Sequence, residues 1–165
     1  YELMRSRLAP GGMAIQWIAM DYPPRIFRCV LKTFSSVFAH VQLWQANGNV
    51  FLIGSNSELP LDLERVEHRL REGAQSFGGI RKYGVTSGQE LVSHLVSRGS
   101  VLRDKLKGVA PNTLVHPVIE FYRAGEFSVD SDQRERENLQ LLIEICDSEA
   151  KQASWLRRLP AVAAN

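Results

Sequence analysis

The dipeptide Asn47-Gly48 constrains this chain more than any other feature, because it separates two runs of apolar residues. The runs are HVQLWQA (40–46) and NVFLIGS (49–55). Both central residues of a type I′ turn need a positive φ, and Asn followed by Gly between apolar runs is the strongest short signal for a hairpin. We therefore predict an antiparallel hairpin over residues 40–55.

The segment before the hairpin predicts a strand followed by a helix. The run MAIQWIAM (13–20) is almost continuously apolar, which is typical of a strand buried on both faces of a parallel sheet. The next helix begins at Asp21 or at Pro23-Pro24, since proline is tolerated in a first helical turn. Its apolar face has helical spacing and consists of Ile26, Phe27, Val30, Leu31, Phe34 and Val37.

The second half of the chain has a mainly helical pattern. We predict a helix over 61–73 that ends at Gly73, one or two helices over 86–108, and a long helix or two from 131, which Ser131 caps. The apolar face of that last helix is Leu139, Leu142, Ile143 and Cys146. The stretch 74–84 is loop-like, and a short strand is predicted at Val118 to Tyr122. Residues 1–58 would form one α/β unit, with 59–165 as a mostly helical extension that packs on it.

Composition narrows the class of protein. A chain of 165 residues is long enough for one domain with a sizeable core. The net charge of +2 and the interleaved acidic and basic residues give no indication of nucleic-acid binding. Cys29 and Cys146 lie in apolar helical patterns and are expected to be free thiols, which fits the reducing environment of the cytoplasm. No run of about 18 apolar residues is present. The four histidines have no metal-ligand spacing.

Three segments together resemble the C-terminal half of the spermidine synthase family. They are YELMRSRLAPGGMAIQW, FRCVLKTFSSVFAHVQLW and NVFLIGS. The likeness is to bacterial spermidine-synthase-like proteins, some of which are fused to membrane segments. In these proteins an L-x-P-G-G turn leads to a strand that carries Gln-Trp. The later segment APNTLVHPVIEFY is similar to their NTDD-x-P-x-[IL]-E-F segment. The resemblance covers residues 1–55 well and 110–122 moderately.

The resemblance implies the end of a Rossmann-like, methyltransferase-type sheet that is closed by an antiparallel hairpin. The first half of such a sheet holds the glycine-rich donor loop, an acidic residue for the donor's ribose and an Asp-containing catalytic loop. None of these is in the chain, so we expect no cofactor here and no activity from the chain alone. The parent enzyme would transfer an aminopropyl group from decarboxylated S-adenosylmethionine to a polyamine. The chain's partners would be the N-terminal half of the same protein and the polyamine.

Two further expectations concern assembly. Without its parallel neighbour, the strand 13–18 would expose an apolar face and unpaired backbone groups, so the isolated chain should oligomerise, for instance as a homodimer, or aggregate. Association with a membrane is expected only if the parent is fused to membrane segments.

Three candidate substrate-binding residues lie at the end of the first strand. Gln16 is a polar residue in an apolar strand, and its amide would face either a ligand or a neighbouring loop. Trp17 would form a pocket wall or part of the core. Asp21 follows the strand, where its carboxylate would meet an amine or would cap the next helix.

Three further candidates rest on the resemblance. Trp44 lies on the hairpin, where family members place aromatic residues near the polyamine. Asn112 and Thr113 match the Asn-Thr of the later segment, or form a simple turn. The chain also departs from the family. Its hairpin lacks the longer insertion of spermidine synthases, and Leu114 and Val115 replace two aspartates.

These departures leave two other functions open. A transferase-like domain that has lost polyamine binding would act as an adaptor, with the helical second half docking a partner. An ordinary S-adenosylmethionine-dependent methyltransferase shares the fold, but not the Gln-Trp strand or the Asn-Thr segment.

Overall fold

A computed structural model of the chain describes residues 1–73, 85–120 and 130–146. In these ranges the elements follow one another as α1 (Glu2–Arg7), β1 (Met13–Ala19), α2 (Pro24–Val37), β2 (His40–Ala46), β3 (Asn49–Ser55), α3 (Leu63–Glu72), α4 (Gly88–Val92), β4 (Leu95–Arg98), α5 (Gly99–Lys105) and α6 (Ser131–Glu144). The fold is mixed α/β, with one four-stranded sheet and helices.

The four strands lie in the order β1-β3-β2-β4, and every neighbouring pair is antiparallel. No Rossmann-type parallel sheet is present in the described ranges. Strands β1 and β2 nevertheless run in the same direction, since each is antiparallel to β3, which lies between them. Trp17, Phe51 and Trp44 are directly opposite one another across these three strands.

In the described ranges the two faces of the sheet differ in how far they are covered, and we call them the closed face and the open face. The closed face consists of Ala14, Ile18, Leu43, Val50 and Leu52, all of which are buried in the core. The open face consists of Met13, Ile15, Trp17, Trp44, Phe51 and Ile53, of which the first three are more than half exposed. The prediction that residues 13–20 are buried on both sides of a parallel sheet was therefore wrong. Both faces of β1 carry apolar side chains, so its sequence does not show the alternation of apolar and polar residues that is typical of a strand with one exposed face.

Helix α2 covers the closed face. It begins at Pro24, and Pro23 is its N-cap residue. Phe27, Leu31 and Phe34 are fully buried against the sheet. At its C-terminal end, Arg103 from α5 donates hydrogen bonds to the carbonyl oxygens of Ser35, Phe38 and Ala39. The arginine thus supplies donors to carbonyls that the end of a helix leaves without partners.

The predicted hairpin is confirmed. Strands β2 and β3 pair over their whole length, with Ala46 opposite Asn49. Asn47 and Gly48 have φ values of 50° and 72°, as the tight turn requires. Further along β3, a Cβ atom at Gly54 would lie 2.5 Å from the ring of Phe38, so the glycine lets α2 approach the strand.

The second half packs on the same core through Leu102, Leu106, Leu142 and Ile145. Helix α3 ends at Gly73 as predicted, and Asp62 caps its start. Strand β4 was not predicted. It is four residues long and lies between two short helices. The apolar residues of the three elements together have a spacing in the sequence that is typical of a helix.

Helix α6 differs in detail from its prediction. Asp130, not Ser131, is the N-cap and accepts a hydrogen bond from the backbone N–H of Asp132. Leu142 and Cys146 are buried as expected, but Ile143 is exposed. Residues 118–120 form a bend and a turn, so no strand begins at Val118. The rest of that predicted strand, the loop at 74–84 and the chain beyond 146 lie outside the described residues.

Candidate functional site

A row of three aromatic side chains crosses the open face of the sheet. Trp17 on β1, Phe51 on β3 and Trp44 on β2 are cross-strand neighbours, and they alternate with residues that enter the core. The indole N–H of Trp17 donates a hydrogen bond of 3.0 Å to Oδ1 of Asn49. The structure thus brings together two of the predicted site residues, Trp17 and Trp44, with Phe51 between them.

A chain of side-chain hydrogen bonds fixes the Trp44 indole. Its Nε1–H donates to Oε1 of Gln42 at 3.1 Å, and Nε2 of Gln42 donates to the carbonyl oxygen of Leu59 at 2.7 Å. Gln42 is itself buried. Because both groups of the glutamine amide are engaged, the amide cannot rotate without losing a hydrogen bond, and Trp44 is held in one orientation.

The open face contains a cavity of about 240 Å³ beside Trp44. Its lining residues come from the three strands, the hairpin turn and the region of α4. They are Ile15, Trp44, Ala46, Asn47, Phe51, Ile53, Val85, Leu91 and His94. The described lining is mostly apolar, and among these residues only Asn47 and His94 bring polar side chains other than the occupied Trp44 N–H.

His94 is bound to the backbone of Gln45 on β2. The carbonyl oxygen of His94 accepts a hydrogen bond from Gln45 N–H at 2.9 Å, and Nδ1 of the ring lies 2.8 Å from the Gln45 carbonyl oxygen. A carbonyl oxygen can only accept, so Nδ1 must carry the proton. In the neutral ring Nε2 is then a hydrogen-bond acceptor.

Gln16 has its partners within the chain and lies on the α2 side of the sheet. Its Oε1 accepts a hydrogen bond from the Tyr1 hydroxyl at 3.2 Å, and its Nε2 donates to the carbonyl oxygen of Trp17 at 2.6 Å. Burial raises the pKa of the Tyr1 phenol, and the nearby Cys29 thiolate would raise it further. The Tyr1 hydroxyl therefore stays protonated, and remains a donor, well into the alkaline range.

Asp21 lies at the carboxyl end of β1, where α6 contacts the chain. Nε of Arg134 donates to the Asp21 carbonyl oxygen at 2.6 Å, and Nδ2 of Asn138 donates to the carbonyl oxygens of Met20 and Tyr22. No side chain caps α2, so the alternative that Asp21 is its cap was wrong. Within the described ranges, Oδ1 of the buried Asn138 has no hydrogen-bond partner.

Asn112 and Thr113 organise a turn on the α2 side of the sheet. Asn112 N–H donates to Oγ1 of Thr33 on α2, and its Oδ1 accepts from the backbone N–H groups of Val118 and Ile119. Thr113 and His116 exchange two backbone hydrogen bonds of 3.1 Å. These two residues therefore lie apart from Trp17 and Trp44, which are on the opposite face.

The residues that complete the cavity were not among the predicted site residues. Ile15, Phe51 and Ile53 alternate with buried neighbours along β1 and β3, and that period of two was the available signal. His94 and Leu91 had no such signal, because the sequence does not show that the end of α4 lies beside β2.

The part of the chain that the structure describes contains neither a candidate metal site nor a candidate membrane-spanning helix. No group of three His, Cys, Asp or Glu side chains there is arranged to hold a metal ion. No described helix has both the length and the apolar character to cross a bilayer. A scan against models of protein families, a search of curated proteins and a search of solved structures each found no match.

Proposed function

We propose that this chain is the closing part of a spermidine-synthase-like aminopropyltransferase with a Rossmann-like sheet. The observation that carries the proposal is the arrangement β1-α2-β2-β3, in which β3 is inserted antiparallel between two strands of the same direction. A strand, a helix and a second strand of the same direction form the unit from which such sheets are built, although here the two strands are not adjacent. Sheets of this class finish with an inserted antiparallel strand.

The free edge of β1 also supports the proposal. Strand β1 is at one end of the strand order, so its outer edge has no partner strand among the described residues. Met13, Ile15 and Trp17 next to that edge are 57%, 60% and 52% exposed. An uncharged edge strand beside an apolar face is a site for pairing with another strand. We propose that a strand of the parent protein pairs there and that a helix of the parent covers the open face.

The parent would transfer the aminopropyl group from decarboxylated S-adenosylmethionine to a polyamine. That displacement needs a neutral amine held in line with the departing thioether. In open α/β sheets ligands bind beyond the carboxyl ends of the strands, where Asp21 follows β1. We propose that the Asp21 carboxylate holds an amine of the substrate, while Trp17 and Trp44 flank its methylene groups. The donor loop and the base would come from the rest of the parent.

The test has two stages. The first determines the coding sequence upstream of the Tyr1 codon, where we expect an open frame that encodes a glycine-rich strand-loop-helix unit and an Asp-containing loop. The second assays the longer protein for aminopropyl transfer by mass spectrometry. Transfer by the longer protein, with none from the 165-residue chain, would support the proposal. A stop codon, or transfer by the 165-residue chain itself, would contradict it.

A matched pair of variants tests the role of the open face in the longer protein. Ile15→Lys puts a charge where the parent's own residues would pack, and should reduce soluble yield and activity together by tenfold or more. Val115→Lys introduces the same charge at an aliphatic residue that is 81% exposed in a turn, and should change neither. Equal effects of the two substitutions would mean that the open face of β1 is not covered in the parent.

A second candidate function rests on the turn at 113–116. Leu114 is fully exposed and Val115 almost so, and the hydrogen bonds between Thr113 and His116 hold them at the tip of the turn. The transferases that this chain resembles have two aspartates at these positions, so this turn would serve an adaptor that binds a protein partner. Methylthioadenosine distinguishes the two functions. It should raise the melting temperature of an active longer protein and leave that of an adaptor unchanged.

A further inference from the structure

We propose that the cavity beside Trp44 binds a small, neutral, planar aromatic molecule that carries one N–H or O–H donor. The cavity lies on the open face, between the hairpin and the end of α4. The site shares Trp44 and Ile15 with the surfaces proposed above for the polyamine and for the parent's helix, but it is inferred from the cavity lining and does not depend on either.

The size and walls of the cavity set the shape of the ligand. An apolar protein cavity of about 150 Å³ is known to hold benzene, so a volume of about 240 Å³ suits a two-ring molecule. Trp44 and Phe51 provide aromatic surfaces, and Ile15, Ile53 and Leu91 provide aliphatic ones. Flat aromatic molecules pack well against walls of this kind.

The charge of the lining sets the charge of the ligand. The described residues that line the cavity include no carboxylate and no lysine or arginine. An ammonium or carboxylate group would lose its hydration there without gaining a partner of opposite charge, and that exchange is strongly unfavourable. Among the described lining residues nothing would offset such a charge, so a neutral molecule suits this cavity better than a polyamine.

The hydrogen-bonding state of two side chains sets the polarity of the ligand. The Trp44 indole N–H already donates to Gln42, so it is not available to a ligand. The His94 ring uses Nδ1–H on the Gln45 carbonyl oxygen and retains Nε2 as an acceptor. A ligand that brings one donor would satisfy Nε2.

The cavity is also held in shape without a ligand. Gln42 and the Leu59 carbonyl fix Trp44, and two hydrogen bonds to Gln45 together with one from His94 N–H to the Leu91 carbonyl oxygen fix His94. Little rearrangement is therefore needed on binding, which favours affinity for a small molecule.

Indole is the probe and benzofuran is its matched control, since the two have nearly the same shape and only indole has a donor. We would titrate each into the full 165-residue chain and follow backbone amide signals by NMR. Indole should bind saturably with a Kd of about 0.1–1 mM and shift the signals of Asn47, Phe51, Leu91 and His94. Benzofuran should bind about tenfold more weakly, the change expected for one lost hydrogen bond.

Two alanine-to-leucine substitutions test where indole binds. Ala46→Leu fills the cavity and should weaken indole binding at least tenfold, while Ala110→Leu, at an exposed residue outside the lining, should leave it unchanged. His94→Phe keeps an aromatic side chain but removes the Nε2 acceptor. It should therefore weaken indole binding to the affinity of benzofuran. Circular dichroism checks that each variant is folded.

Three results would overturn the inference. They are the absence of saturation by indole up to 10 mM (about ten times the weakest expected Kd), equal affinities for indole and benzofuran, and unchanged binding by a folded Ala46→Leu variant. Aminopropyl transfer is not measured in this experiment, so a failure of indole to bind would not contradict the proposed function.

Discussion

The two faces of the sheet are built from the same strands and differ in what covers them. On the closed face, Leu43, Val50 and Leu52 have no exposed surface, because α2 contacts β3 and α5 contacts β2 there, while α6 contacts α2. On the open face, Ile15 and Trp17 of the same sheet are more than half exposed. Both sets are apolar, so hydrophobicity alone does not determine which face becomes the core. The helices that pack on one face determine which face becomes the core.

The difference separates residues that stabilise the chain from residues that are available for binding. Burial of a Leu or Phe side chain contributes about 1.5–3 kcal/mol, and an exposed side chain forgoes most of that. Exposed apolar patches on folded proteins are commonly interaction sites. The closed face should therefore govern the free energy of unfolding, and the open face should govern what the chain binds. The predictions below test this division.

The largest expected effect is at the closed face. Leu52→Ala removes a fully buried side chain and should lower the free energy of unfolding by about 3 kcal/mol, from lost burial and the cavity that remains. Ile15→Ala, on the neighbouring strand and the open face, should lower it by less than about 1 kcal/mol. Urea denaturation followed by circular dichroism measures both.

Equal losses for the two variants would contradict the division between the faces, because they would mean that Ile15 is covered in solution. The m-value serves as the control. It should be unchanged in both variants if each alters stability without changing the surface exposed on unfolding.

A smaller effect is expected where α2 approaches the sheet most closely. Gly54→Ala places a methyl group 2.5 Å from the Phe38 ring and 2.8 Å from Phe34, both of which are buried and cannot move freely. The free energy of unfolding should fall by about 1–3 kcal/mol. Gly108→Ala is the matched control. Nothing lies within 4 Å of its added methyl group, so we expect a change within about 0.5 kcal/mol.

If Gly54→Ala were as mild as Gly108→Ala, the close packing of α2 on β3 would be wrong. Thermal melts of the two variants beside the wild type would reveal this directly.

A smaller effect is expected at the hairpin turn that joins β2 and β3. Gly48 has φ of 72°, and an alanine in the left-handed region costs about 1–2 kcal/mol. Gly48→Ala should therefore lower the free energy of unfolding by about 1 kcal/mol. Asn47→Gly retains the positive φ and should stay within about 0.5 kcal/mol of the wild type. A Gly48→Ala variant as stable as the wild type would indicate a different turn.

Local signals in the sequence predicted the elements well and their environment poorly. Asn47-Gly48 fixed the hairpin because the turn needs two positive φ values, and Pro24 and Gly73 marked helix ends for equally local reasons. Burial depends on what packs from elsewhere in the chain. The apolar run at 13–20 could not show that one of its faces would be left open, since Ile15 and Trp17 are as apolar as Ala14 and Ile18.

The candidate site shows the same limit. The sequence singled out Trp17 and Trp44 as separate residues, and only the register of β1, β3 and β2 places them on one face with Phe51 between them. His94 joins the cavity through hydrogen bonds to Gln45, a contact between residues 49 positions apart. A contact between residues so far apart cannot be predicted from the local spacing of residue types.

The smallest expected effect is the pH dependence of stability that arises from Cys29, which is buried on α2. Burial raises the pKa of its thiol above the ordinary value of 9.0, more than the hydrogen bond with Thr33 and the charge of Arg25 lower it. A thiol whose pKa is higher in the folded state stays protonated there while the unfolded chain ionises. Its contribution to stability is therefore complete below pH 9.0 and is lost as the pH rises through the folded-state value.

The melting temperature of the wild type should fall more steeply between pH 9 and 10.5 than that of Cys29→Ala. Tyr1, whose pKa is also raised, is present in both proteins, but the charge of the Cys29 thiolate contributes to that rise, so the difference between the two curves reports the thiol together with its effect on Tyr1. Parallel curves would mean that water reaches the Cys29 thiol in the folded protein and that its burial on α2 is incomplete.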